Sequence, residues 1–284
     1  MLAESGGCYV DSHSHIDGED YDGDRDEVIK RACEAGVRAI LTVGTGDPQS
    51  GNLERAVELA ERHEAVYAAV GVHPHDARLF DEAAAKRLCA LVKRSPRVVA
   101  WGEIGLDYHY DHSPRDVQRQ VFAEQLGLAR SMPLPVIIHS REAEEDTVAI
   151  LQREWSGAKR SGVMHCFGGS LQIAEDVMKV GFMISFAGNL TFKKAEDLRE
   201  TARHIPLNHV LIETDCPFLA PVPFRGRRNE PAHVVHVART LADLHGVTPE
   251  EIGRITSANF ERLFQVESGT SADGGNHPAS VQNP

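Results

Sequence analysis

Arg97-Val98-Val99-Ala100-Trp101-Gly102-Glu103-Ile104-Gly105-Leu106-Asp107-Tyr108 is the stretch that decides how the chain is read. Residues 98–101 form an apolar, partly β-branched run with the composition of a buried strand. The carboxylate of Glu103 follows after Gly102, with Gly105 two residues beyond it. An ionised carboxylate is too costly to leave unpaired in a core. Its place just past a strand therefore points to a residue presented at the mouth of a sheet or barrel.

Similar runs recur on both sides of this one. Residues 8–11, 38–43, 66–71, 98–101, 135–138, 162–164, 182–185 and 210–212 read as eight strands, and a helical pattern fits after nearly every one. After Ser113 and Pro114, the residues Val117, Val121, Phe122, Leu126 and Ala129 keep helical spacing. Val234, Val237, Ala238, Leu241 and Leu244 line a helix entered at Pro231, and Thr248-Pro249-Glu250-Glu251 is a capping box opening another. Strand–helix alternation with continuous apolar strands predicts a parallel sheet buried on both faces. Eight units in roughly 210 residues favour closure into an α/β (β/α)8 TIM-type barrel. The competing open, doubly wound sheet lacks support, because no Gly-x-Gly-x-x-Gly follows the first strand. The expected organisation is one barrel domain over 8–265, after a disordered start at 1–7. A small, polar, unpatterned tail over 266–284 is expected to be disordered.

The totals narrow the class. Of 284 residues, 42% are hydrophobic and 25% charged, ordinary values for a globular chain with a sizeable core. No apolar run reaches the length of a membrane span, and the first seven residues have neither the basic start nor the apolar segment of a signal peptide. The cysteines Cys8, Cys33, Cys89, Cys166 and Cys216 are scattered and form no Cys-x-x-Cys, which suits reduced thiols in a cytoplasm. A monomer is the expected state. The net charge of −12 excludes the basic face of a nonspecific duplex binder. If such a chain handles nucleic acid, a local site with metal ions must supply the positive charge.

Candidate ligands sit at strand ends throughout. His13 and His15 follow the first strand, Glu103 the fourth, His139 the fifth, His165 the sixth and Asp215 the eighth. In a barrel these ends share one rim, where active sites form. Alternate residues of an extended chain point the same way, so His13 and His15 can meet one ion. Imidazole nitrogens and carboxylate oxygens suit zinc, manganese and related divalent ions, and a carboxylate can bridge two of them. The expected division is His13, His15 and Asp215 on one ion, His139 and His165 on the other, and Glu103 on both. Asp215 can also take the proton of an attacking water.

Other motifs carry weaker signals. His73, in Gly71-Val72-His73-Pro74-His75, is a candidate for substrate phosphate, whereas His75 reads as surface. The basic cluster Phe224-Arg225-Gly226-Arg227-Arg228 offers Arg225, Arg227 and Arg228 as phosphate contacts, against the alternative of pairing with this acidic protein's own surface. Gly168-Gly169-Ser170 can present backbone N–H groups or be a plain turn. The acidic run from Asp17 to Asp24 lacks the offsets of a calcium loop and reads as solvated, with Asp17 as a second-layer partner of the histidines.

Together these residues resemble the TatD family of metal-dependent deoxyribonucleases. The motifs that carry the resemblance are Asp11-Ser12-His13-Ser14-His15-Ile16-Asp17, Gly71-Val72-His73-Pro74, Gly102-Glu103-Ile104-Gly105-Leu106-Asp107-Tyr108, Pro135-Val136-Ile137-Ile138-His139-Ser140-Arg141, His165-Cys166-Phe167-Gly168-Gly169-Ser170, Glu213-Thr214-Asp215-Cys216-Pro217 and Arg225-Gly226-Arg227-Arg228-Asn229-Glu230-Pro231. The resemblance implies a (β/α)8 barrel and a pair of divalent cations (Mg2+, Mn2+ or Zn2+) held by His13, His15, Glu103, His139, His165 and Asp215. It also implies 3′→5′ hydrolysis of DNA, preferably single-stranded. Cys216 and Phe218 stand where alanine and tyrosine are common in the family. Two alternatives remain at this point: a barrel hydrolase of a small ester, lactone or amide with the same ligands, and a metal-binding partner module without catalysis.

Overall fold

The computed structural model of the protein describes residues 8–268. Among them, eight parallel strands follow one another in chain order: β1 (Tyr9–Ser14), β2 (Val37–Gly44), β3 (Val66–Val70), β4 (Val98–Asp107), β5 (Val136–Arg141), β6 (Gly162–Met164), β7 (Met183–Phe186) and β8 (Val210–Ile212). Each is followed by a helix: α1 (Arg25–Glu34), α2 (Asn52–Arg62), α3 (Glu82–Arg94), α4 (Arg115–Ser131), α5 (Glu144–Glu154), α6 (Leu171–Lys179), α7 (Glu196–His204) and α8 (Val234–His245). A further helix, α9 (Pro249–Phe264), opens on the predicted box, with Thr248 Oγ1 accepting from Glu251 N at 3.2 Å. The ring closes between β1 and the segment after β8: Ser14 bridges Cys216, Asp215 N donates to His13 O at 3.0 Å, and His15 N donates to Cys216 O at 2.9 Å. This is the (β/α)8 barrel. The closing seam carries three of the six predicted ligands.

Side chains alternate across the strands as the two-residue period requires. Leu41, Val43, Tyr67, Ala69, Val99, Ile137, Val163 and Leu211 fill the barrel interior. Ile40, Val66, Ala68, Val70, Val136 and Ile138 turn outward under the helices. At the start of the strands, α9 plugs the interior with Phe260, Leu263 and Phe264. Its Asn259 Nδ2 donates to Leu207 O and Val210 O at 2.8 Å each, and its Ser257 Oγ donates to Cys8 O at 3.0 Å. With that end sealed, the ionisable side chains of the candidate site gather at the other.

One boundary differs from the sequence reading in a way that bears on function. The fourth strand runs on to Asp107, so Glu103 lies inside β4. Glycines are poor strand formers, and Gly102 and Gly105 hide the continuation. Here they are required. A Cβ on Gly105, whose φ is +143°, would lie 2.0 Å from His139 O, and one on Gly102 would lie 2.6 Å from Ile137 Cβ. Both glycines let β4 approach β5 closely.

The N-terminal residues 1–7 and most of the predicted tail lie outside the described residues. Its first residues, 266–268, are held: Tyr67 Oη donates to Glu267 O at 2.9 Å, and Ser268 N and Oγ donate to Glu261 Oε1 at 3.1 and 2.5 Å. No described helix is long and apolar enough to cross a membrane.

Candidate metal centre

Six side chains from five places along the chain meet at the open end of the barrel. Both Glu103 oxygens are used, on different partners. Oε1 lies 2.7 Å from His139 Nδ1, 2.7 Å from His165 Nε2 and 3.5 Å from His73 Nε2. Oε2 lies 3.5 Å from His13 Nε2 and 4.0 Å from His15 Nε2. Asp215 Oδ1 stands 3.6 Å from His15 Nε2 and 3.9 Å from His13 Nε2. Three sets of donor atoms fall within 4.8 Å of one another: His13, His15 and Asp215; His13, Glu103 and His165; His73, Glu103 and His139.

The donor chemistry fits divalent cations. His15 turns Nδ1 to Val43 O at 3.0 Å, leaving Nε2 facing the cluster. His139 pairs Nε2 with Asp107 Oδ2 at 3.1 Å and points Nδ1 at Glu103. A ring with one nitrogen anchored and the other aimed at a common point is the usual form of a metal-ligating histidine. His165 Nδ1 lies 3.3 Å from Glu213 Oε1 without the alignment of a hydrogen bond, and His13 Nδ1 is buried without a partner among the described residues. Cys216 is buried, and its thiol belongs to none of the three donor sets.

Electrostatics point the same way. Burial alone pushes the Glu103 carboxyl up, but attraction to His165 and the other rings outweighs it and holds the group well below its ordinary range. Burial likewise pushes Asp215 up, and pairing with His15 together with attraction to His165 and His13 outweighs it. The reciprocal effects lift His15 to about 9 and raise His139 and His165 against burial. Burial keeps His13 below its usual value. Ionised carboxylates gathered among imidazoles in a buried place favour positive charge there, and a divalent cation displaces ring protons to supply it.

His73 is a different case from the other four histidines. Its Nδ1 accepts from His75 N at 3.1 Å, so the proton of the neutral ring sits on Nε2. Burial depresses its pKa to about 4. The ring therefore presents a neutral N–H donor toward the Glu103 side of the cluster. His75, read as surface from the sequence, instead places Nε2 3.0 Å from Asp107 Oδ2.

Several contributors were not singled out by the sequence reading. Asp107 Oδ2 touches both His139 and His75. Asp11, buried, accepts from Thr214 N at 2.9 Å and from Thr214 Oγ1 at 2.6 Å, pinning the seam between β1 and the segment after β8. Burial lifts its carboxyl to about 8. Glu213 accepts from Cys166 N at 2.5 Å beside His165. Asp17 binds Thr42, whose Oγ1 donates to its Oδ1 at 2.6 Å, and makes no hydrogen bond to His13 or His15 among the described contacts.

A cavity of about 970 Å3 opens over the centre, lined by His15, His73, Glu103, His139, His165 and Asp215 together with Tyr110, Arg141, Gly168, Phe218 and several carboxylates. Arg225, Arg227 and Arg228, offered by the sequence as phosphate contacts, are not among the residues that line this cavity. Arg228 pairs bidentately with Asp24 at 2.9 and 2.6 Å and donates to Asp20 O at 2.6 Å. Arg225 lies 3.8 Å over the Phe192 ring. The guanidinium that does line the cavity is Arg141, at the end of β5.

Residues 10–265 match the family model described as TatD related DNase. The chain belongs to the TatD family. Its relatives include the uncharacterized metal-dependent hydrolase YabD of Bacillus subtilis, 48% identical over 259 residues that cover 90% of this chain and 98% of that one. The 3′-5′ ssDNA/RNA exonuclease TatD of Cronobacter sakazakii is 38% identical, covering 88% of this chain and 95% of that one. Among solved structures, the TatD homologue YJJV of Escherichia coli K12 superposes with a TM-score of 0.85 at 34% identity, over 91% of this chain and 98% of that one. Membership in the TatD family thus places this barrel among relatives named as metal-dependent hydrolases.

Proposed function

We propose that this TatD-family protein is a metal-dependent phosphodiesterase that removes nucleotides from DNA, preferably single-stranded, in the 3′→5′ direction. The observation that carries the reading is the division of Glu103, whose two oxygens face two different histidine sets. That is the arrangement a bridging carboxylate needs. His13, His15 and Asp215 would hold one cation, His139 and His165 the other, and Glu103 both. When bound, such cations activate water and neutralise phosphate oxygens. Four imidazoles suit Zn2+ or Mn2+ better than Mg2+, which prefers oxygen ligands.

The chain's own groups divide the remaining work. Asp215, ionised and at the cavity wall, accepts the proton of the attacking water. Asp107 fixes the His139 ring through Nε2, and Glu213 stands behind His165. His73 donates from Nε2 to a substrate oxygen. The single-strand preference and polarity draw on the Cronobacter relative, named as a 3′-5′ ssDNA/RNA exonuclease. A small apolar substrate is disfavoured, because carboxylates such as Asp17, Asp20, Asp76, Glu142 and Glu144 line an open cavity.

Labelled single-stranded DNA incubated with the protein and Mn2+ or Mg2+ should release mononucleotides. Excess EDTA should stop this, and added cation should restore it. Release that continues in EDTA overturns the metal-dependent reading. Because Arg228 is already engaged with Asp24, Arg228→Ala should cost about 1 kcal/mol or less in a denaturant melt and leave turnover nearly unchanged. A loss of about tenfold or more would place Arg228 on the substrate instead.

A further inference from the structure

Four large apolar side chains are exposed among the described residues: Leu79, Tyr110, Phe218 and Val222. Two of them, Tyr110 at 51% and Phe218 at 61%, line the cavity above the metal centre. Tyr110 follows β4 and Phe218 follows β8. In a ring of eight strands the fourth and eighth lie opposite each other, so the two rings stand on facing sides of the mouth.

Each ring is mounted on fixed backbone. Phe218 N donates to Asp215 O at 2.9 Å, and Phe218 O accepts from the buried Asn229 Nδ2 at 2.7 Å. Tyr110 N donates to Asp107 Oδ1 at 2.9 Å. Both aromatics thus sit three residues beyond a carboxylate of the centre and are tied back to that same residue. The Phe218 ring lies 6.4 Å from the His15 ring and edge-on to it. The Tyr110 ring carries the Arg141 guanidinium 4.7 Å from its centroid and lies parallel to the His112 ring at 5.6 Å, so a base reaches it over the part these two leave exposed. Carboxylates outnumber the single guanidinium, Arg141, in the lining, so phosphates flanking the centre gain little Coulomb attraction from its side chains. The π-face of an unpaired base is what these rings attract, with sequence tolerance.

We propose that Phe218 and Tyr110 are stacking platforms for the nucleobases on either side of the phosphate held at the centre. Substrate is then recognised through unstacked bases more than through backbone charge, which disfavours duplex ends whose bases stack on one another. The proposal rests on the phosphodiesterase reading above.

The test compares a thymidine oligonucleotide with one of equal length and charge whose 3′-terminal positions are abasic tetrahydrofuran residues, both with the Mn2+-loaded protein. The wild type should show a KM for the base-bearing strand lower by roughly 5- to 150-fold, the range that stacking one base on an aromatic side chain is worth. Phe218→Ala and Tyr110→Ala should each move that KM toward the abasic value, with kcat changing less. Phe218→Tyr and Tyr110→Phe should restore it. Hydrolysis of both strands with equal KM in the wild type overturns the stacking assignment and leaves the phosphodiesterase reading standing. Hydrolysis of neither strand removes that reading, and the platforms with it. The wild-type comparison decides even where an alanine variant fails to fold.

Discussion

Glu103→Ala is expected to reduce hydrolysis of single-stranded DNA by at least about 10³-fold and to lower the bound metal per chain. The expectation follows from how many partners converge on this one carboxylate. Its oxygens are shared among His13, His139 and His165 at 3.5, 2.7 and 2.7 Å, and no second buried carboxylate faces both histidine sets among the described residues. Metal content after dialysis, measured by atomic emission, separates loss of a ligand from loss of chemistry. Glu103→Gln keeps the shape but removes the charge. It should retain part of the metal and still lose most of the rate, because an amide is a weaker ligand than a carboxylate. A variant that keeps both its metal content and its turnover would remove Glu103 from the bridging role. Circular dichroism of both variants guards against misreading an unfolded protein as an inactive one.

Much of this architecture was legible in the sequence because the strands are short, continuous apolar runs, and these need no knowledge of their neighbours to be recognised. All eight were placed, and the largest boundary error was at β4. There the continuation from Gly102 to Asp107 carries two glycines, which composition counts against a strand. Stopping the strand at Trp101 also hid Asp107. Once β4 is known to run through, Glu103 and Asp107 are four residues apart in one strand and therefore on the same face. That spacing was a usable signal. Asp11, two residues before His13 in β1, carries the same spacing signal, but the partner that gives it a role does not show in the sequence. Asp11 matters because Thr214, 203 residues away, donates to it across the closing seam of the barrel. The arginine cluster was legible only in part, for a related reason. Its density is visible in the sequence, but Asp24, 204 residues before Arg228, is what occupies that guanidinium. Local composition shows that a charge exists, and only the fold shows which charge it meets.

The close approach of β4 to β5 leads to the second large effect. Gly105→Ala is expected to destabilise the protein by about 3 kcal/mol or more, seen as a lowered denaturant midpoint, or to prevent folding outright. Two costs combine. A φ of +143° is a conformation that residues with a side chain avoid, and the added Cβ would fall 2.0 Å from His139 O and 2.9 Å from His139 C. Those contacts are backbone atoms of a paired strand, so no side chain can swing aside to relieve them. If the chain folds, β4 and β5 must separate locally. Gly105 pairs with His139 in the strand register, two residues from Glu103. The Glu103–His139 contact at 2.7 Å would then open together with the fold defect. Gly127→Ala serves as the control, because it lies within α4 and an added Cβ there meets nothing within 4 Å. It should be neutral or slightly stabilising, since alanine is the better helix former by about 1 kcal/mol. A Gly105→Ala protein with the stability and metal content of the wild type would show that the two strands need not approach this closely. The geometry of the centre would then have to be set by the loops rather than by the sheet.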